Sequence, residues 1–416
     1  MVALRVLFLA LAGLAFALID DWPAITLISI SLLVVVAVSF VWSRTSLAGL
    51  SFARSLSSDR AQVGDQLREE LAVRNRSIFG KLFLEIEDRS TLPGHLANRV
   101  IKLGPRSARQ WRISSIARQR GRHRLGPVTL RSGDPFGLFR RQKRLSGTLD
   151  LTIYSLTVEI DPYVPGSVLQ SGGGAVQRRS AQPTTTVGSI RDYVQGDSIN
   201  RVSWTATARA GRLMVKEFEN DPTADVWVIL DLYEPHPAIS GYGSARFADD
   251  DPLGWLGSEL EYRVMLAGSL TRRSLALGRS VGLVVNAAQP IVLPPERSDR
   301  QYVRILELLA VVEARADPSI SELLTSQTSR FRRDSVLLVT TSTVDSNLVA
   351  LLANLRRRRI SSEVMYVDPN MSPVQMTIDF LGDLRRERIA GYRMTRADHP
   401  SGLLQMAPVL TGPWAR

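Results

Sequence analysis

The chain has 416 residues, 44% hydrophobic and 22% charged, a balance that supplies two or three cores and excludes a disordered or fibrous protein. It contains no cysteine, which excludes disulfides, thiol catalysis and sulfur-ligated metals. The net charge of +12 is uneven: from Arg44 to Asp150, 22 Lys and Arg stand against 9 Asp and Glu, whereas from Leu151 to Arg416 each sign counts 29.

At the N-terminus, Val6 to Ile19 is an unbroken apolar run, followed by Asp20-Asp21-Trp22-Pro23 and a second run from Ala24 to Trp42. The second has the length that about 30 Å of hydrocarbon demands. The first reaches that length if Arg5 snorkels and Ala3 and Leu4 join it. The pair reads as a transmembrane hairpin over 1–43. Arg44, Arg54 and Arg60 follow the second run while the turn holds only acids. The positive-inside rule then expects two spans with both chain ends and the soluble body in the cytoplasm. A cleaved signal peptide ending at Ala15-Phe16-Ala17 is the other account of the first run.

Over 55–164 short alternating segments lie between turn signals. Leu67 to Val73, Leu82 to Glu87, Arg99 to Leu103, Gln110 to Ser114 and Pro127 to Arg131 read as strands, punctuated by Asn75, Pro93-Gly94, Gly104-Pro105 and Gly126-Pro127. This spacing expects an all-β sandwich. The net charge of +13 between Arg44 and Asp150 expects contact with the anionic inner leaflet of a lipid bilayer. Nucleic acid is set aside, because interleaved exposed aromatics are missing.

A linker follows over 165–187, with Ser171-Gly-Gly-Gly174 and few apolar residues. In 188–222, Asp197 or Ser198 reads as a helix cap, Ile199 to Ala210 as a helix, Gly211 as its left-handed stop and Arg212 to Phe218 as a strand. From 223 to 416 strands and helices alternate. The strands are Val226 to Asp231, Val281 to Val285, Ser335 to Thr340 and Glu363 to Asp368, and the helices Glu259 to Leu277, Tyr302 to Arg315 and Asn347 to Arg358. The expectation is an α/β domain with a doubly wound, mostly parallel sheet.

Three blocks, Arg120-Gly-Arg-His-Arg-Leu-Gly-Pro127, Asp134-Pro-Phe-Gly-Leu-Phe139 and Gly188 to Glu219, resemble motifs of a bacterial membrane-anchored family catalogued as domain of unknown function number 58. His123 departs from it, standing where the family usually has an aromatic. The resemblance implies that the α/β domain is von Willebrand factor A-like. It also implies a non-enzymatic adaptor, working with a MoxR-type AAA+ ATPase in assembling or activating other complexes. Arg191, Asp192, Tyr193, Gly196, Asp197, Arg201, Trp204, Arg209, Lys216 and Glu217 fall on the signature positions. Two accounts of them stay open: a partner-binding surface centred on Trp and Arg, or a structural unit in which Trp204 packs on the sheet and arginines pair with Asp192 or Glu217.

Other chemistry is sparse. Von Willebrand A domains hold Mg²⁺ through Asp-x-Ser-x-Ser, whereas this chain reads Asp231-Leu-Tyr-Glu-Pro235, so the site is degenerate and no cofactor is expected. His95, His123, His236 and His399 lie apart without ligand spacing, and read as packed or solvated residues. Gly241-Tyr-Gly243 lacks a phosphate-loop pattern, and Asp249-Asp-Asp251 reads as a solvated acidic trio. Arg356 to Arg359 complement a helix end. From another class, the alternative is an accessory subunit of a cell-envelope enzyme system making peptidoglycan or exopolysaccharide.

Overall fold

The computed structural model of the chain describes residues 2–19, 22–160, 163–165, 187–193, 202–218, 224–233, 258–287, 289–314, 318–368 and 374–394. They fall into two units, the first built chiefly on Met1–Leu156 and the second on most of the chain from Thr157 onward.

The first unit opens with two helices, α1 (Val2–Ile19) and α2 (Pro23–Ser46), both long and apolar enough to cross a membrane. They pack together through small residues. Ala10 and Ala17 of α1 are buried, and a Cβ added at Gly13 would meet Ser29 Oγ of α2 at 2.7 Å. Many of the other apolar side chains, Phe8, Leu9, Ile28 and Val34 among them, stand exposed. That is the arrangement of helices solvated by lipid, whose close approach depends on small residues.

Ten strands follow: β1 (Leu50–Leu56), β2 (Arg60–Gln62), β3 (Gln66–Asn75), β4 (Lys81–Asp88), β5 (Arg99–Leu103), β6 (Ala108–Ile116), β7 (Gly121–Leu125), β8 (Val128–Gly133), β9 (Arg140–Leu145) and β10 (Leu149–Tyr154). The five expected strands are all present, within two residues at each end. The remainder are additions. They form sheets ordered β1-β3-β6, β5-β4-β8-β9 and β2-β10-β7. Leu71, Val73 and Trp111 of the first sheet share an apolar cluster with Leu84, Ile86, Ile101 and Leu130 of the second. Leu47 and Leu50, just beyond α2, belong to the same cluster, so the helix enters it without a linker.

The second unit contains β11 (Val187–Asp192), α3 (Trp204–Ala210), β12 (Met214–Phe218), β13 (Val226–Leu230), α4 (Glu259–Ala276) from Tyr262 on, β14 (Val281–Val285), β15 (Ile291–Glu296), α5 (Asp299–Val311) up to Ile305, α6 (Ile320–Gln327), β16 (Val336–Thr341), α7 (Ser346–Arg357), β17 (Ser361–Val367), α8 (Val374–Arg386) and β18 (Ala390–Met394). Its main sheet runs β15-β14-β13-β16-β17-β18, parallel except for the edge strand β15. Trp227, Ile229, Leu337, Val339, Val364 and Tyr366 alternate onto one face and share a cluster with α6, α7 and α8. Val228, Leu230 and Leu338 on the other face are equally buried, which is why these strands read as continuous apolar runs. The strand order reverses at β13, whose neighbours β14 and β16 follow it in the chain. The segment beyond β10 belongs to this unit: Val158 N–H donates to Ser269 Oγ at 2.9 Å, and the Tyr163 hydroxyl to buried Glu363 at 2.5 Å. Burial and the Glu363 carboxylate push the Tyr163 phenol well above its ordinary range.

Candidate functional site

The signature segment is a hairpin carrying a helix. β11 pairs antiparallel with β12, and Val202 bridges Val215. That bridge keeps Val202 extended, so α3 begins at Trp204 and not at Ile199. Ser203 is its cap residue and makes no side-chain cap bond. Gly211 stops the helix in the left-handed conformation, φ 66°, as its position predicts. The helix is pinned to the start of β12. Ser203 N–H donates to Met214 O at 2.8 Å, and Met214 N–H donates to Thr207 Oγ1 at 3.0 Å.

This pinning turns Trp204 outward. It is 65% exposed, so the indole does not pack on the sheet. Arg209 and Leu213 are exposed as well. Asp192 pairs with Arg212 at 3.0 Å, and both side chains are open to solvent, where such a pair contributes about 0–1 kcal/mol. Tyr193 is half-buried at the hairpin end, its N–H bonded to Leu213 O at 2.9 Å. Arg191 lies in β11, and Lys216 and Glu217 in β12. Gly196, Asp197 and Arg201 fall outside the described residues, as do Glu234, Pro235, His236, His399, Gly241, Gly243 and the acidic trio 249–251.

A second constellation sits at the carboxyl ends of β13, β14 and β16, the switch point where open α/β sheets place ligands. Asp231 is fully buried there. Its Oδ1 accepts Tyr233 N–H at 2.9 Å and Asn286 Nδ2–H at 3.2 Å, and its Oδ2 accepts the Thr341 hydroxyl at 2.7 Å and the Thr343 hydroxyl at 3.4 Å. The buried Arg263 guanidinium donates to the carbonyls of Asp231, at 2.5 Å, and Tyr233. Four donors thus occupy the carboxylate and a fixed positive charge lies beside its backbone. This set does not fit a hard divalent cation, which needs several free oxygens at about 2.0–2.6 Å. Asp345 serves elsewhere, capping α7 through Asn347 N–H at 2.8 Å. Among the described residues no three His, Asp or Glu side chains cluster as a metal site.

A third group, in the first unit, was not anticipated. Arg54 Nε lies 2.5 Å from Glu69 and its Nη2 2.7 Å from Asp88, while His95 Nε2 approaches the same two carboxylates at 3.2 and 3.1 Å. His95 Nδ1 meets Ser115 Oγ at 3.0 Å. All four side chains are at most 3% exposed. Burial raises the Glu69 carboxyl above its ordinary value against the pull of Arg54 and His95. For Asp88, burial is outweighed by hydrogen bonds from His95 and Arg54, and its carboxyl is lowered. The alternation Leu67-x-Glu69-x-Leu71-x-Val73 already places Glu69 on the inward face, the one signal of this cluster in the sequence. His123 is packed too, its ring nitrogens facing the carbonyls of Thr91 and Gln119.

Comparison with known proteins agrees with the motif reading. Residues 189–373 match the family described as Protein of unknown function DUF58. An uncharacterized protein, YeaD of Bacillus subtilis (strain 168), is 23% identical over 280 residues, spanning 65% of this chain and 65% of its own length. Two solved structures show partial likeness. The CARDB domain of PF1109 from Pyrococcus furiosus is 18% identical, with 25% of this chain and 94% of that one covered at a TM-score of 0.21. The C-terminal domain of wzt is 10% identical, with 26% and 75% covered at a TM-score of 0.21. Likenesses at these scores bear on neither fold nor function. Over residues 189–373 the chain is similar to the DUF58 family.

Proposed function

We propose that this protein is a membrane-anchored, non-enzymatic adaptor whose signature hairpin presents a protein-binding face to a MoxR-type AAA+ ATPase. The observation that carries the reading is Trp204, 65% exposed on a helix fixed by backbone bonds to β12. A large aromatic held in water beside an exposed arginine is the composition of binding hot spots. Nothing in the local packing requires it there. The self-satisfied Asp231 supports a non-catalytic role for the switch point, because each carboxylate oxygen is already engaged.

In this reading α1 and α2 are the two spans, the sheets that follow form a basic β-sandwich, and the α/β unit is a von Willebrand factor A-like domain in which Arg263 replaces the cation. The body lies in the cytoplasm, on the side where Arg44 follows α2.

The test is affinity capture of the detergent-solubilised full chain with and without a non-hydrolysable ATP analogue. An AAA+ ATPase is expected in one nucleotide state, and recovery should fall at least tenfold with Trp204→Ala, the loss of about 1.4 kcal/mol or more typical of a hot spot. Identical recovery in every nucleotide state overturns the ATPase reading. Capture of envelope-synthesis enzymes instead favours the accessory-subunit alternative.

A further inference from the structure

The cytoplasmic end of α2 does not stand clear of the sheets. α2 packs against β8 and β9, and its buried residues Ser39, Ser43 and Ser46 recur at four- and three-residue intervals. The Phe40 ring meets Phe139 edge-on, with centroids 5.6 Å apart, and the Arg44 guanidinium lies over the Phe40 ring at 5.1 Å. The Lys81 ammonium, at the start of β4, donates to Thr45 O. These contacts set a depth. About twenty helical residues cross 30 Å of hydrocarbon. Counted from Pro23, the far boundary falls near Trp42, so Phe40 lies on the lipid side of it. Phe139 must reach the same level.

The β8–β9 loop that holds Phe139, and the β3–β4 loop that meets the chain just after α2 through Arg76 N–H to Gly49 O, carry exposed apolar side chains. Phe136, at the tip of the β8–β9 loop, is 62% exposed, and Ile78 and Phe79 of the β3–β4 loop are 62% and 55% exposed. Phe83 on β4, one residue before the Leu84–Ser132 pair, is 63% exposed, and Gly133, one residue beyond Ser132, pairs with Arg140. The Phe136 loop is held in shape by Asp134. Its carboxylate accepts the N–H groups of Phe136, Leu138 and Phe139 at 3.0, 3.2 and 2.5 Å. Behind it β9 presents Arg140, Arg141, Lys143 and Arg144, all exposed. Contiguous exposed apolar residues beside a basic rim mark an interaction surface, and this one is matched to lipid. The apolar tips lie at acyl depth while the cations stand where anionic headgroups would be.

We infer that Ile78, Phe79, Phe83 and Phe136 form a wedge that enters the lipid surface beside α2, with Arg140 and Arg141 binding anionic phospholipid headgroups. The inference rests on reading α2 as a span, and it adds a specific, charge-selective lipid contact to that anchor. β9 runs away from Phe139 at about 3.3 Å per residue, so Arg144 stands more than a Debye length of about 10 Å beyond the rim and contributes less.

The absence of cysteine makes single-cysteine spin labelling direct. The full chain is reconstituted in phosphatidylcholine vesicles with and without phosphatidylglycerol. Nitroxides are placed at Phe136→Cys and Phe79→Cys, with Val34→Cys as span control and Asp150→Cys as water control. The labels at 136 and 79 are expected to show a several-fold higher ratio of oxygen to nickel-chelate accessibility than the label at 150, and a further rise with phosphatidylglycerol. Adding Arg140→Glu and Arg141→Glu should abolish that rise, whereas Arg144→Glu should leave most of it. Labels at 136 and 79 that match the water control, with 34 in lipid, overturn the wedge. The same depth in both lipids overturns the anionic contact. An aqueous label at 34 overturns the spanning reading itself.

Discussion

Arg54 joins two carboxylates inside the first unit, and each partner there depends on the others. With Arg54→Met, Glu69 and Asp88 would remain buried beside His95 without the guanidinium. Removing one member of such a group costs about 3–5 kcal/mol, because a charge is left buried without compensation. Thermal unfolding of the detergent-solubilised chain should show that loss, and a change below about 1 kcal/mol would contradict the assigned pairing. Asp134 supplies a pH-dependent counterpart. Burial opposes its ionisation, but the N–H groups of Phe139, Leu138 and Phe136 outweigh burial and lower its carboxyl. Its folded value lies below the unfolded one of about 3.9, so its stabilisation is complete above that value and is lost as pH falls through the folded value. Asp134→Asn should cost about 1–3 kcal/mol at neutral pH, and the gap to the parent should narrow in acid, read as unfolding midpoint against pH.

At the scale of elements, α6 is fixed by a capping box. Ser319 Oγ accepts Glu322 N–H, and Ser319 N–H returns to Glu322 Oε2 at 3.2 Å. Ser319→Ala should lower stability by about 1 kcal/mol. Trp204→Ala, by contrast, should stay within about 0.5 kcal/mol of the parent while binding is lost, the separation expected of an exposed contact residue. What the sequence disclosed follows from burial. β13, β14 and β16 read as strands because both faces are covered and each holds a run of apolar residues, β16 up to Val339. β9 was hidden because Arg140-Arg-Gln-Lys-Arg-Leu145 is an exposed edge strand without alternation. β15 was hidden by Pro294 and Pro295, which an antiparallel edge tolerates. In the candidate sites, motif resemblance located Trp204 and Arg209 but not their exposure, which depends on Val202 pairing with Val215. Asp231 was visible at its strand end. Asn286, Thr341 and Thr343 meet it only through the parallel strand order, which local pattern does not encode.

For the whole molecule, the side of the membrane is a single testable fact. Asp150 is exposed, so Asp150→Cys offers one thiol on the body. An impermeant maleimide should modify it in inverted membrane vesicles and spare it in right-side-out vesicles, and the reverse pattern places the body outside. The join between α2 and the sheets has a mechanical meaning as well. The apolar run of the helix, Ala24 to Trp42, has 19 residues, about 29 Å, and just matches a hydrocarbon layer of about 30 Å. A helix that is too long for its bilayer accommodates by tilting. Because Leu47 and Leu50 enter the core directly, no hinge absorbs that tilt. Helix and sheets move as a lever, so hydrophobic mismatch is converted into the angle at which the module leans, and a thinner membrane leans it further.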